Sequence, residues 1–148
     1  MILDYIGLFM FLAGFVIGLG AVTVIDIHGF LGIKSSYWTE ATIRTHKITK
    51  PLIWIGIFLA IIGGMIFYRN VPFSGIPFYH VLIACILILN GLFLSFYVSP
   101  FLLLRENEGR QTELLPTSLQ NKIVVSLILS DIGWWTGLFL LVFYIVSR

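Results

Sequence analysis

Four stretches of the chain are almost continuously apolar, and the charged residues collect between them. The first runs from Ile6 to Ile27 and is uncharged until Asp26. The second covers Pro51 to Tyr68, the third Val81 to Leu104, and the fourth Ile123 to Val146, with Asp131 inside it. A helix needs about 20 mostly apolar residues to cross a hydrocarbon core roughly 30 Å thick. Within that core only helices and closed barrels satisfy their own backbone. The pattern predicts an all-α, integral membrane four-helix bundle. It forms one four-span domain over residues 1–148, with spans near 6–27, 51–68, 81–104 and 123–146. The second run is the shortest, and a helical segment before it is expected to continue into it.

That segment reads YWTEATIRTHKITKP. Ser36 or Thr39 suits an N-cap, and Glu40 suits the first turn. Trp38, Ala41, Thr45 and Ile48 share one face at helical spacing. A short interfacial helix is therefore expected before the second span, anchored by Trp38 at headgroup level. Pro51 would kink it into the span or start a new helix there. Ahead of the fourth span, Thr117 and Gln120 have capping-box spacing. Pro100 should kink the third helix near its end.

Composition agrees with this pattern. The chain is 59% hydrophobic and 11% charged, with a mean hydropathy of +1.02, whereas soluble domains are about a quarter charged. Charge also sets an orientation. The first loop carries Lys34, Arg44, Lys47 and Lys50, and the third carries Arg105, Arg110 and Lys122. Only Arg69 and Arg148 fall on the other side. The positive-inside rule places both basic loops in the cytoplasm and the N-terminus and C-terminus outside. The expected location is the cell membrane, multi-pass, in a prokaryotic plasma membrane. The N-terminal run lacks the basic residues of a cleaved signal, so it reads as a retained helix. A net charge of +2 is too small to suggest nucleic acid. The lone Cys85 can form neither an internal disulfide nor a cysteine-rich metal site.

Small residues form stripes. Gly7, Gly14, Gly18 and Ala21 fall within about 60° of arc on the first helix. Gly56, Ala60 and Gly63 do so on the second, with Gly64 beside them, and Ser126, Ser130, Gly133 and Gly137 do so on the fourth. Such stripes let backbones approach closely where lipid removes the hydrophobic drive. They should bury within one bundle, or one of them should form the face of a homodimer or larger membrane complex.

Asp131 carries the most chemical information. It follows Lys122 by nine residues, about 13 Å along a helix, and an ionisable group at that depth costs at least a few kcal/mol unless paired or neutral. Trp134 and Trp135 lie at i+3 and i+4 on its face. Its functional reading is a proton carrier, a metal or cation contact, or the partner of a buried base. Its structural reading is a hydrogen bond inside the bundle. Asp26 and His28 end the first helix, and Arg44, His46, Lys47 and Lys50 open the second. In the assigned topology Asp26, Arg44 and His46 meet in the cytoplasmic leaflet with Asp131 somewhat deeper, which makes this cluster the candidate catalytic set. Lys34, Lys50, Arg105 and Arg110 read as snorkelling interface chains. Asn90 and Ser95 are the main polar residues of the third helix, and Asn90 suits a bond to a neighbouring helix.

A b-type haem would need two imidazoles at matching depth on facing helices. His28 and His46 can share a side, whereas His80 falls on the opposite side. If haem or porphyrin binds, the cofactor set is His28, His46, Trp134 and Trp135. No phosphate loop, zinc motif or nucleophile elbow is present, and no reaction is fixed by the residues.

The segments GFVIGLGAVTVID, KITKPLIWIGIFLAIIGG and SDIGWWTGLFL resemble a superfamily of small four-helix membrane proteins. It includes the copper resistance protein D domain and the bacterial membrane protoporphyrinogen oxidase. The similarity covers about half the chain. It implies a compact bundle with haem, porphyrin or copper involvement. Against that, Phe11 stands where the haem-associated oxidases place a histidine, and Asp26 stands near an expected arginine. Only Met1, Met10 and Met65 are available to a methionine-rich copper site. Three functional classes follow: a haem- or porphyrin-linked redox protein, a proton- or ion-coupled transport unit, and a small accessory subunit of a membrane complex.

Overall fold

The computed structural model describes residues 1–147. Helix α1 spans Ile2–Gly32, α2 Ser36–Phe67, α3 Ile76–Phe93, α4 Ser99–Asn107 and α5 Thr117–Val146. A five-residue π-turn, Leu94–Val98, joins α3 to α4, and together they form one rod from Ile76 to Asn107. The four rods are each long and apolar enough to cross a membrane. At 1.5 Å per residue α1 is about 46 Å long, so it outreaches the hydrocarbon core. One end of the bundle, here the hairpin end, carries the turn at 33–35 and the loop at 108–116. The other, the terminal end, carries Met1, the end of α5 and the loop at 68–75.

The apolar runs understate the helices, most of all around the first loop. The segment expected as a short interfacial helix leading into the second span is the first part of α2, which passes Pro51 without ending. The cap is Ser35, one residue ahead of the expected Ser36. Ser35 is extended at φ −138°, and its hydroxyl accepts from the Trp38 amide at 3.5 Å. The inward face is a different one from that of Trp38, Ala41, Thr45 and Ile48. Thr39, Ile43 and Thr49 are buried, while Ile48 is 67% exposed. The reason lies in α1, which continues five residues past Ile27 and offers α2 a partner. Thr39 Oγ1 donates to the Gly32 carbonyl at 2.9 Å. At the start of α5 the expected capping box is absent. Pro116 is the cap, and Gln120 Nε2 reaches across to the Ile33 carbonyl at 3.3 Å, tying α5 to the end of α1.

Helices α1 and α2 pack along their whole length, α5 packs on α1 and α3, and α2 meets α3 only sparsely. The glycine stripes explain the first contact. A methyl added to Gly14 would lie 2.5 Å from the Ala60 nitrogen, and one on Gly56 2.6 Å from the Gly18 Cα. One on Gly63 would strike the Phe11 backbone. These two helices touch backbone to backbone, as small-residue interfaces allow. The α5 stripe is buried within the chain as well, with Gly133 beneath Leu87 and Gly137 beneath Phe15. Next to it, Asn90 and Ser126 form the expected bridge. The Ser126 hydroxyl donates to Asn90 Oδ1 at 2.6 Å, and Asn90 Nδ2 donates to the Ser126 carbonyl at 3.0 Å.

Pro100 acts through the π-turn. Proline lacks an N–H and its ring crowds the carbonyl four residues back. Widening the turn accommodates both, and the Ser99 N–H donates to the Leu94 carbonyl. Arg105 does not snorkel. It is 4% exposed, and its guanidinium donates to the carbonyls of Glu113 at 2.8 Å and Leu114 at 3.3 Å, which closes the 108–116 loop onto α4.

Candidate functional site

A cavity of about 90 Å³ opens at the hairpin end, among all four rods. Its wall is mostly aliphatic, with Asp26 from α1, His46, Lys50 and Trp54 from α2, Ser95 from the π-turn, and Gln120 and Ser130 from α5. The π-turn matters here, since such bulges recur at functional sites. It supplies Leu94, Ser95 and Val98 to the wall, and Ser95 Oγ accepts from Trp54 Nε1 at 3.1 Å. Lys50 Nζ donates to Ser99 Oγ at 3.3 Å, so the ammonium is drawn toward the start of α4.

Two atoms on this wall lack partners. Asp26 is 3% exposed, and its Oδ2 is buried with no hydrogen bond. His46 Nε2 is buried in the same condition. Behind them Asp131 also has a buried, unpartnered oxygen, Oδ1. Asp131 lies within electrostatic reach of Asp26, and Lys50 within that of His46. An unpaired buried polar group costs about 1–3 kcal/mol, and more when charged. Native proteins hold only a few such groups per hundred residues, and three of them gather in this region.

Of the predicted cluster, the structure brings together Asp26, His46 and Asp131. Asp26 and His46 line the cavity, and Asp131 stands one residue from Ser130, which also lines it. Arg44 is elsewhere: its side chain is 72% exposed and pairs with Glu40. Lys47 also points away, bonded to Glu106 at 2.7 Å. His28 is outside the cavity and stacks on Trp38 with ring centroids 5.2 Å apart. Trp134 is in the core, 1% exposed, edge-on to Phe15 at 5.8 Å, while Trp135 is 57% exposed. The two tryptophans therefore do not shape the polar cavity. Sequence reading missed Lys50, Trp54, Gln120 and Ser130. Each is an ordinary residue on its own helix, and only the helix packing gathers them.

A second cavity, of about 370 Å³, lies toward the terminal end between α2 and α3. Its lining is apolar and aromatic except for Tyr68 and His80. His80 Nε2 lies 2.9 Å from the Gly137 carbonyl, and Nδ1 lies 3.2 Å from the Tyr68 hydroxyl. A carbonyl only accepts, so Nε2 carries the proton and Nδ1 accepts from Tyr68.

A bis-histidine haem does not fit these positions. His46 lines the first cavity, His80 the second, and His28 neither. The first cavity is also well below the roughly 300–1,000 Å³ of organic ligand sites. Among the described residues no three His, Cys, Asp or Glu side chains gather as a metal site. No family model matches the sequence, no curated protein matches it, and no solved structure matches the fold.

Proposed function

We propose that this chain is a multi-pass plasma-membrane protein that handles protons through its polar cavity, as a proton-coupled transport unit. The observation that carries the reading is the pair of buried, unpartnered atoms on one cavity wall, Asp26 Oδ2 and His46 Nε2, with Asp131 behind them. Positive-inside orientation puts the cavity in the cytoplasmic leaflet. A buried carboxylate oxygen without a donor is costly, and a proton carried to Asp26 would supply that donor. His46 sits on the wall between the two carboxylates and the hairpin end, and imidazole is the side chain best suited to pass a proton near neutral pH. Lys50, held by Ser99, stands on the same wall.

The test is proton entry into proteoliposomes that contain a pH-sensitive dye, driven by a potassium diffusion potential. Wild-type protein should acidify the lumen faster than empty vesicles. Asp26→Asn and Asp131→Asn should each reduce that rate at least about tenfold, corresponding to about 1.4 kcal/mol, while Ser130→Ala should leave it within about twofold. Rates that match empty vesicles, or Asn variants that match wild type, would overturn the reading.

Kinship with the copper resistance protein D superfamily stands beside this as a proposal about ancestry. It is supported by the resembling segments of α1 and α2, which form the glycine-on-glycine contact. The imidazole placement does not favour the haem chemistry that the kinship would bring.

A further inference from the structure

We infer that the second cavity is the seat of one hydrocarbon chain of a membrane lipid, inserted sideways between α2 and α3. The cavity is bounded on its inner side by Phe11, Phe15 and Trp134, and its rim is formed by Met65, Phe73 and Val81. The rim residues are 70%, 66% and 47% exposed. Met65 and Val81 belong to the outward surfaces of α2 and α3, which meet lipid when the bundle spans a membrane, and Phe73 completes the rim from the 68–75 loop. The opening is therefore lateral, and what the surroundings offer it is hydrocarbon.

The polar groups inside select for the same occupant. Both nitrogens of His80 are already engaged, one with Gly137 and one with Tyr68. The imidazole leaves no ring nitrogen for a ligand's headgroup, so a purely apolar occupant loses nothing. Water is disfavoured in a cavity of this kind, because an ordered water needs two to four polar partners. An empty cavity would forfeit dispersion contacts along its whole lining. The volume, about 370 Å³, falls in the range of occupied ligand sites.

The chain would also have a mechanical effect. The sparse α2–α3 contact runs past both cavities. Ile57 and Leu87 border the second cavity, and one turn away Trp54 and Gly91 border the first. A seated chain fills the wide part of this seam and fixes the spacing of the helices that carry Trp54 and Ser95.

Trp134 reports occupancy, because it borders the cavity and, at 1% exposed in all, is shielded from lipid on every other side. The experiment uses the full chain with Trp38→Phe, Trp54→Phe and Trp135→Phe, reconstituted in phosphatidylcholine brominated on its acyl chains. A chain in the seat should quench most of the Trp134 emission relative to unbrominated lipid. Ala84→Leu, which fills the cavity from α3, should restore most of it. Gly64→Leu serves as a second filler, since a methyl there would meet the Phe11 ring at an ordinary 3.4 Å. A companion protein that retains only the exposed Trp135 shows that the bundle sits in the bilayer. If Trp135 is quenched and Trp134 is not, the inference fails. It also fails if Trp134 is quenched equally with the fillers in place.

Discussion

Substituting Gly56 with alanine tests whether the α1–α2 contact organises the bundle. An alanine Cβ at this position would lie 2.6 Å from the Gly18 Cα, 2.7 Å from its nitrogen and 2.9 Å from the Gly14 carbonyl oxygen. All three are backbone atoms of the opposing helix, so no side-chain rotation relieves the clash. Reaching an ordinary contact of 3.4 Å requires the helices to part by about 0.8 Å, and a gap of 0.5–1 Å forfeits about a quarter to a half of each dispersion well. Overpacking of this kind costs about 1–3 kcal/mol, partly offset by the roughly 1 kcal/mol by which alanine exceeds glycine in helix propensity. The comparison is Gly20→Ala, on the same pair of helices, where an added methyl meets nothing within 4 Å and only the propensity gain applies. Reversible unfolding in mixed micelles should therefore rank Gly20→Ala at or above wild type and Gly56→Ala below it, with about 1–3 kcal/mol between the two variants. Equal stabilities, or Gly56→Ala as the more stable, would refute the close-contact account.

Two further outcomes follow from other polar contacts. Asn90→Ala removes both bonds to Ser126 and should cost about 1–2 kcal/mol, in keeping with measured interhelical hydrogen bonds, whereas Cys85→Ala on the exposed face of α3 should be near neutral in the same unfolding assay. In the exposed 108–116 loop, the hydrogen bond from Arg110, followed by its charge, holds the Glu113 carboxyl below its ordinary 4.5. A group shifted in this direction stabilises the loop above pH 4.5 and loses that contribution as pH falls through the lowered value. The Glu113 side-chain carboxyl carbon resonance should titrate with a midpoint below 4.5, and Arg110→Gln should move that midpoint up toward it.

The span count and the Asn90 bridge were legible because each rests on local rules: apolar length, and a lone amide among aliphatic neighbours. The glycine stripes were legible as stripes, although their periodicity does not specify which helix each one meets. The helix before Pro51 was legible too, but not how closely α1 would follow it down to a turn at 33–35. Thr39, Thr42, Thr45, Thr49 and Pro51 have poor helix propensity, yet the extension of α1 gives α2 a surface to lie on, and tertiary contact decides. Several threonines also satisfy themselves, as when Thr42 and Thr49 donate to carbonyls four residues back. The candidate site was half legible. A buried charge is conspicuous in sequence, so Asp26 and Asp131 stood out. Arg44 was included because it is near His46 in sequence, but on a helix two residues apart point about 200° from each other. That offset sends Arg44 to solvent and His46 inward.

This division of labour between seams explains how a chain with so few polar residues can hold a partnerless carboxylate. The α1–α2 contact is closed, backbone on backbone, and lets no side chain shift without cost. Asp26 lies on that platform, beside Ile25, Gly29 and Gly32 in the cavity wall. The α2–α3 contact is its opposite. It is sparse, borders two cavities, and faces a helix widened by the Pro100 π-turn. A rigid half fixes where Asp26 and His46 stand, and a loose half leaves room beside them for the species that satisfies their orphaned atoms. If both seams were closed, α3 would lie against Asp26 and bury the carboxylate beyond the reach of any proton. If both were loose, Asp26 could rotate to Lys50 and form an ion pair, and the orphaned oxygen would disappear. The pairing of one closed seam with one open seam is what turns two misplaced charges into a site that can exchange a proton.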